Sequence, residues 1–395
     1  MTVRTEPFLP FARPSITERE TRAVLEVLGS GWLTTGPRTK EFEAAFAEKV
    51  GTRHAVALNS ATAALHLALD AFGVDEGDEV IVPTWTFAAS AEVVAYRRGR
   101  VVLVDVEADS LNATVDGILA AVSKRTKAVV AVHIAGRPMD IGDLVAALDR
   151  EGIPVVEDAA HSFPSRIGGP EGPHAGTIAR AGAYSFYATK TITTGEGGML
   201  VTDHDAVADR ARLMSLHGIS RDAWKRYTAG GSWYYEIEDA GYKYNMTDLA
   251  AALGLVQLSR AEELLAARIA LVERYRALFA ESAIADLVEL PTDADDGSHA
   301  WHLFVLRLRL ERLSIDRAAV MDGLADQGIG ASVHFIPLHL HPYHRRTGGW
   351  RPEQFPVATR EYERVISLPL WPGMTDADVE RVVAALETIL DPARA

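Results

Sequence analysis

The stretch Ala183–Leu200, AYSFYATKTITTGEGGML, decides how the rest of the chain is read. Its apolar start, Ala183–Phe186, has the character of a buried strand and delivers Ser185 and then Lys190. A turn rich in hydroxyls and glycine follows (Thr191, Thr193, Thr194, Gly195, Gly197, Gly198). A lysine on a tight loop after a strand can form an imine with an aldehyde cofactor, and nearby hydroxyls and backbone N–H groups can hold that cofactor's phosphate. A lone lysine in such a place is commonly a solvated surface residue. Its companions decide between the two.

The first companion is Ile153–Ala160, IPVVEDAA, an apolar strand running into Glu157 and Asp158, with His161 just beyond. Ligands of open α/β sheets sit at the carboxyl ends of strands. An aspartate there can pair with a protonated pyridine nitrogen and keep the ring an electron sink. Asp158 could equally cap a segment beginning at Ala159. The second is Ala55–Leu69, AVALNSATAALHLAL, a short strand, then Asn59–Thr62, then a helix rich in alanine and leucine. Small and hydroxylated residues at a helix start leave N–H groups free for an anion, which the helix dipole also favours. The third is Pro83–Ser90, PTWTFAAS, where Trp85 or Phe87 could stack on a flat ring or simply belong to the core.

Together with Gly241–Leu255 (GYKYNMTDLAAALGL), these stretches resemble the DegT/DnrJ/EryC1/StrS family of pyridoxal-phosphate-dependent sugar aminotransferases. The likeness runs from Arg13–Pro14 to Ser367–Met374 (SLPLWPGM). It implies the fold type I of the PLP-dependent transferases, aspartate-aminotransferase-like. It makes Lys190 the Schiff-base lysine, Asp158 the partner of the pyridine nitrogen, and His161 a neighbour of the ring. Ser60, Ala61 and Thr62 match the phosphate turn, to which Ser185 adds a hydroxyl. Phe87 matches the stacked aromatic, with Trp85 as second choice. Asn245 resembles a residue that reaches phosphate from the neighbouring subunit, which implies a homodimer with shared active sites. Many relatives carry GYNYRMT where this chain has GYKYNMT, so whether Lys243 or Asn245 touches phosphate stays open. Relatives with histidine in place of the lysine are sugar dehydratases; Lys190 points to ordinary transamination.

The 395 residues suffice for two domains, and 48% apolar with 24% charged residues is the composition of a globular enzyme. A net charge of −14 and a pI near 5.4 argue against nucleic acid or an anionic membrane as main partner. Anionic substrates then need a local basic site: Arg221, Lys225 and Arg226 in SRDAWKRY, plus Lys243, are the candidates, or else a solvated charged face. The absence of cysteine excludes disulfides and thiolate metal sites. Histidines crowd His334–His344 (HFIPLHLHPYH), but Pro337, Pro342 and the lack of nearby carboxylates argue against a metal. In the family this segment resembles the loop at the substrate mouth, so His334 is expected to contact sugar or phosphate. No basic region followed by an apolar run opens the chain, and no long apolar stretch occurs, so a cytoplasmic location is expected.

Along the chain, Pro10 and Pro14 suggest an extended arm (1–14), and helical patterning covers Thr17–Leu28 and Gly36–Val50. From His54 apolar strands alternate with amphipathic helices: His54–Leu58, Glu79–Val82, Val101–Val104, Ala128–Val132, Pro154–Val156, Ala183–Phe186 and Gly198–Val201. That alternation predicts an α/β domain (15–258) with a large, mostly parallel sheet covered on both faces. Thr247–Ala280 reads as one strongly helical element. A small C-terminal α+β domain (259–395) follows, with strand Trp301–Leu308, helix Ser314–Gly328, strand Ala331–Phe335 and helix Thr375–Leu390.

The expected reaction moves an amino group from glutamate to a keto nucleotide sugar. The SRDAWKRY and GYKYNMTD segments resemble relatives acting on 4-keto-6-deoxyhexoses, such as a dTDP-4-keto-6-deoxyhexose. Enzymes of 3-keto sugars and inososes (aminocyclitols) share the core motifs and form the alternative, and a non-catalytic PLP-binding regulator is a further one. Richness in arginine and alanine suggests a high-GC bacterium, where aminosugars often decorate antibiotics.

Overall fold

The computed structural model describes residues 7–219, 234–293 and 298–395. Seven strands, β1 (His54–Leu58), β2 (Glu79–Pro83), β3 (Arg100–Val104), β4 (Thr126–Val132), β5 (Val155–Asp158), β6 (Ala181–Ser185) and β7 (Gly198–Thr202), form one sheet. Their order is β1-β7-β6-β5-β4-β2-β3. Only β7 runs against its neighbours; the other six are parallel to one another. The expected mostly parallel α/β sheet is therefore present.

Successive strand residues serve opposite faces. In β1, Val56 and Leu58 pack on the helix Ala61–Ala71 side, while Ala55 and Ala57 join Phe42 and Phe46 of the helix Pro37–Val50. At both helix starts a side chain satisfies part of the set of unpaired N–H groups. Ser60 Oγ accepts from Ala63 N at 3.1 Å. The Asp248 carboxylate accepts from the N–H groups of Gly36, Arg38 and Thr39. The second helix ends at Gly51, whose φ of 79° closes it in the left-handed conformation that glycine tolerates.

A second core gathers Tyr275 and Phe279 of the helix Ala261–Glu281, Val379 and Leu386 of the helix Asp376–Leu390, and a three-stranded antiparallel sheet. That sheet consists of β8 (Val288–Glu289), β9 (Phe304–Leu308) and β10 (Val365–Leu368), in the order β10-β9-β8.

Three local expectations need correction. The helical run Thr247–Ala280 is two helices, Asp248–Ser259 and Ala261–Glu281. At the break Arg260 leaves helical geometry (φ −107°, ψ 6°) and turns its guanidinium to Glu20. The strand expected from Trp301 begins at Phe304, because Trp301 has a φ of 47° and Leu303 N donates instead to Ala135 O. Ala331–Phe335 forms a single bridge, Ser332 to Ser367, rather than a strand. Just before it the N-terminal arm takes up the backbone: Leu9 N donates to Gly328 O, and Gly330 N to Leu9 O. The place beside β9 goes to β10, which the sequence reading passed over.

Candidate active site

The carboxyl ends of β1, β2, β4, β5 and β6 open on one cavity of about 470 Å³. Of the candidates named from sequence, Ser60, Ala61, Thr62, Phe87, Asp158, His161, Ser185, Lys190 and His334 line it together. Trp85 does not. It is fully buried in the core, with its indole N–H donating to His334 O at 3.1 Å, so Phe87 rather than Trp85 faces the cavity. Lys243 and Asn245 also stand outside the lining. Their side chains bond each other, and Asn245 Nδ2 donates to Thr35 Oγ1 at 2.7 Å. They flank the β1 turn, since Asn59 N donates to Tyr244 O and Asn59 Nδ2 to Lys243 O. Arg221, Lys225 and Arg226 lie outside the described residues.

At one end of the cavity the helix Ala61–Ala71 presents its first turn. The N–H groups of Ala63 and Ala64 are used by Ser60, whereas those of Ala61 and Thr62 find no partner among the described residues. Such an N-terminus suits an anion. Gly198 at the start of β7 makes the approach possible: a Cβ there would stand 2.3 Å from Ser60 C and 2.4 Å from Ala61 N. Ser185 Oγ, also on the cavity, accepts from Tyr187 N at 3.3 Å. Backbone donors, two serines and a glycine-cleared floor fit a phosphate group.

At the other end β5 alternates its two acids. Glu157, wholly buried, accepts from His133 Nε2 (2.9 Å) and from the N–H groups of Gly176, Ile178 and Ala179. Met139 N donates to His133 Nδ1 at 2.9 Å, which leaves the His133 proton on Nε2. Asp158 faces the cavity, with Ser90 Oγ donating to it at 2.7 Å and Ala160 N at 3.2 Å. Because the Ser90 proton goes to the carboxylate, the Thr86 hydroxyl must donate to Ser90 across their 2.7 Å contact. Burial pushes the Asp158 carboxyl above its ordinary value, against Ser90, Ala160 and Lys190, which favour the anion. A buried carboxylate of this kind is best satisfied by a cation from within the cavity.

Lys190 sits on the turn after β6, its N–H bonded to Tyr187 O at 2.9 Å and its Nζ 3.4 Å from His302 Nε2. Burial lowers its pKa from 10.5 to about 8; Asp158 opposes this and Arg268 adds to it. An amine held there exchanges protons readily near neutrality. His161 lies 4.3 Å, ring to ring, from His302 and 5.6 Å from Phe335, and Ala135 N donates to its Nδ1 at 3.3 Å. Burial and the Lys190 charge hold His161 and His302 neutral.

Sequence reasoning missed several of these residues. Ser90 belonged to the PTWTFAAS stretch, and its spacing from Thr86 on a helix start was the available signal. His133, His302 and Phe335 had none: each is one residue in an apolar run, and only the fold brings it to the cavity. Among the described residues no group of three His, Cys, Asp or Glu could hold a metal ion, and no helix is long and apolar enough to cross a membrane.

Comparison with known proteins agrees with this geometry. Residues 14–387 match the model of the DegT/DnrJ/EryC1/StrS aminotransferase family. The spore coat polysaccharide biosynthesis protein SpsC of Bacillus subtilis is 44% identical over 395 residues, covering 99% of both chains. Spr1654 of Streptococcus pneumoniae, assigned as a sugar aminotransferase and solved in its PLP form, superposes with a TM-score of 0.87 at 33% identity, over 97% of this chain and 98% of that one. DesV of S. venezuelae gives 0.83 at 30% identity, again over 97% and 98%.

Proposed function

The chain belongs to the DegT/DnrJ/EryC1/StrS aminotransferase family, and on that premise we propose that it moves an amino group from L-glutamate to a keto nucleotide sugar, specifically the 4-keto group of a dTDP-4-keto-6-deoxyhexose. It is an aminotransferase with pyridoxal phosphate as cofactor. The observation that carries the reading is the convergence of Lys190, Asp158 and the Ser60–Thr62 turn on one cavity. SpsC, a polysaccharide biosynthesis protein, and Spr1654, assigned to sugars, support the substrate class.

When bound, pyridoxal phosphate supplies an aldehyde for the amino group and a cationic ring that draws electron density from the donor's α-carbon. The free N–H groups of Ala61 and Thr62, with the Ser60 and Ser185 hydroxyls, hold the phosphate. Asp158 would hold the proton on the ring nitrogen, with Ser90 orienting its carboxylate. Phe87 and His161, which line the cavity, would hold the ring. Lys190 Nζ, with its pKa lowered to about 8 and so about a tenth unprotonated at pH 7, takes the proton from the donor's α-carbon and later returns one to the acceptor's carbon. The apolar lining, with Leu65, Val132 and Ile134, limits water at these steps.

Purified protein with glutamate, offered a panel of 3-keto and 4-keto nucleotide sugars and inososes, is expected to yield aminated 4-keto sugar and 2-oxoglutarate in equal amounts by mass spectrometry. Amination confined to 3-keto sugars or inososes would replace the substrate assignment. Binding of cofactor without any 2-oxoglutarate would identify a non-catalytic protein.

Asn245, turned away from its own cavity, is assigned to the phosphate of a second copy, as the family pattern suggests. The protein should then be a homodimer, and light scattering that found a fully active monomer would end that assignment.

A further inference from the structure

We propose that His302 is a positioning residue for Lys190: a neutral imidazole whose Nε2 accepts a hydrogen bond from the lysine's ammonium form, seating Nζ and stabilising the protonated state through which the amine must pass. This rests on Lys190 being the proton-moving amine.

Five charged or titratable groups act on that amine. Asp158 reaches it from the end of β5, His161 from the loop beyond, His302 and His334 from the segments around β9 and β10, and Arg268 from the helix Ala261–Glu281. The three histidines differ in what their nitrogens already do. Ala135 N–H occupies His161 Nδ1, and Ser367 Oγ lies 3.0 Å from His334 Nδ1. His302 Nε2 stands 3.4 Å from Lys190 Nζ, while its Nδ1 is buried without a hydrogen-bond partner among the described residues.

That unmatched nitrogen is informative. Burying a polar atom without a partner opposes folding, and a leucine or phenylalanine would fill the space without that penalty. Among the described residues no carboxylate meets the ring to make it an ion-pair partner. Its polar contact is the lysine amine.

The backbone holds the ring there from several sides. Arg268, buried and without an acidic hydrogen-bond partner among the described residues, donates through Nη1 to Trp301 O (3.1 Å), His302 O (3.4 Å) and Leu370 O (2.9 Å). On the opposite side, Ala300 N donates to Gly136 O and Leu303 N to Ala135 O. Any side chain on Gly136 would meet His302 N at 2.9 Å, and Gly136 has a φ of 98°. The peptide of His302 is thus clamped between the two cores while its ring reaches Lys190.

The test is the pH dependence of Lys190 acetylation by trace acetic anhydride in cofactor-free protein, mapped by mass spectrometry. The wild type should show a midpoint near 8. In His302→Phe the lost acceptor should move the midpoint down by about one unit, and His302→Gln, whose amide oxygen accepts, should recover most of it. In the holoenzyme His302→Phe should lower kcat roughly 10-fold with the KM for glutamate little changed, and His302→Gln should again recover. Should His302→Phe fail to fold, His302→Leu provides the apolar arm at smaller volume. An unmoved midpoint, an upward shift, or a glutamine variant no better than the apolar one overturns the proposal. Borohydride separates the two failures: cofactor fixed on Lys190 with an unmoved midpoint removes the role of His302 alone, whereas a wild-type Lys190 left unlabelled removes both.

Discussion

Replacing Lys190 by alanine should lower turnover by on the order of 10³-fold or more while leaving the fold intact. The size of the loss follows from the amine being the group placed to move a proton in a cavity whose other nitrogen bases, His161, His302 and His334, are already engaged or held neutral. The survival of the fold follows from how little the side chain holds: among the described residues its amine bonds to His302 alone, and its desolvation opposes folding rather than supporting it. Steady-state kinetics and a urea melt check the two halves. Wild-type turnover in the variant would refute the assignment of Lys190, and a collapsed melt would show that the lysine carries structure as well. Borohydride adds a direct reading, since it should fix the cofactor to Lys190 in the parent protein and leave the variant's peptide unmodified.

The second large effect belongs to Asp158→Asn, which should cost about 10²- to 10³-fold in rate and weaken cofactor retention. The substitution is nearly isosteric: its one oxygen can still accept from Ala160 N–H, while its NH2 faces Ser90 Oγ, whose hydroxyl can turn to accept, so packing is little disturbed. What disappears is the negative charge. Burial already disfavours that charge, and the two hydrogen bonds and the nearby lysine work against that cost. A cationic ring would complete the set, and an amide cannot hold a proton on a pyridine nitrogen. Cofactor release on dialysis and the rate of the glutamate half-reaction report the two consequences. A variant with wild-type values for both would remove Asp158 from the chemistry.

The large sheet was legible because its strands are apolar on both faces and bounded by glycine, proline and acids; the turn after β6 announced its lysine in the same way. The cavity's small-domain wall was not. His302 and Phe335 come from stretches that look like ordinary strand; the fold brings both to the cavity, His302 with its backbone packed against Gly136. Trp85 shows the reverse error. An aromatic two residues from Phe87 points the other way, because neighbours of that spacing share a side only when the backbone stays extended, and here it is already turning into the helix Ala89–Tyr96. The break at Arg260 was hidden for a similar reason: a residue with good helix propensity leaves the helix because Glu20, far away in sequence, pulls its guanidinium inward.

The adjacent acids of β5 have a consequence for how this enzyme can vary. Glu157 anchors the chain around Gly176–Ala179 and Asp158 serves the cavity, and in a strand the two are distinguished by parity alone. A one-residue deletion within β5, at Val155 or Val156, would invert that parity if the start of the strand kept its pairing, sending the anchor into the cavity and the cavity acid into the protein's interior. Insertions and deletions here should therefore be tolerated, if at all, in pairs.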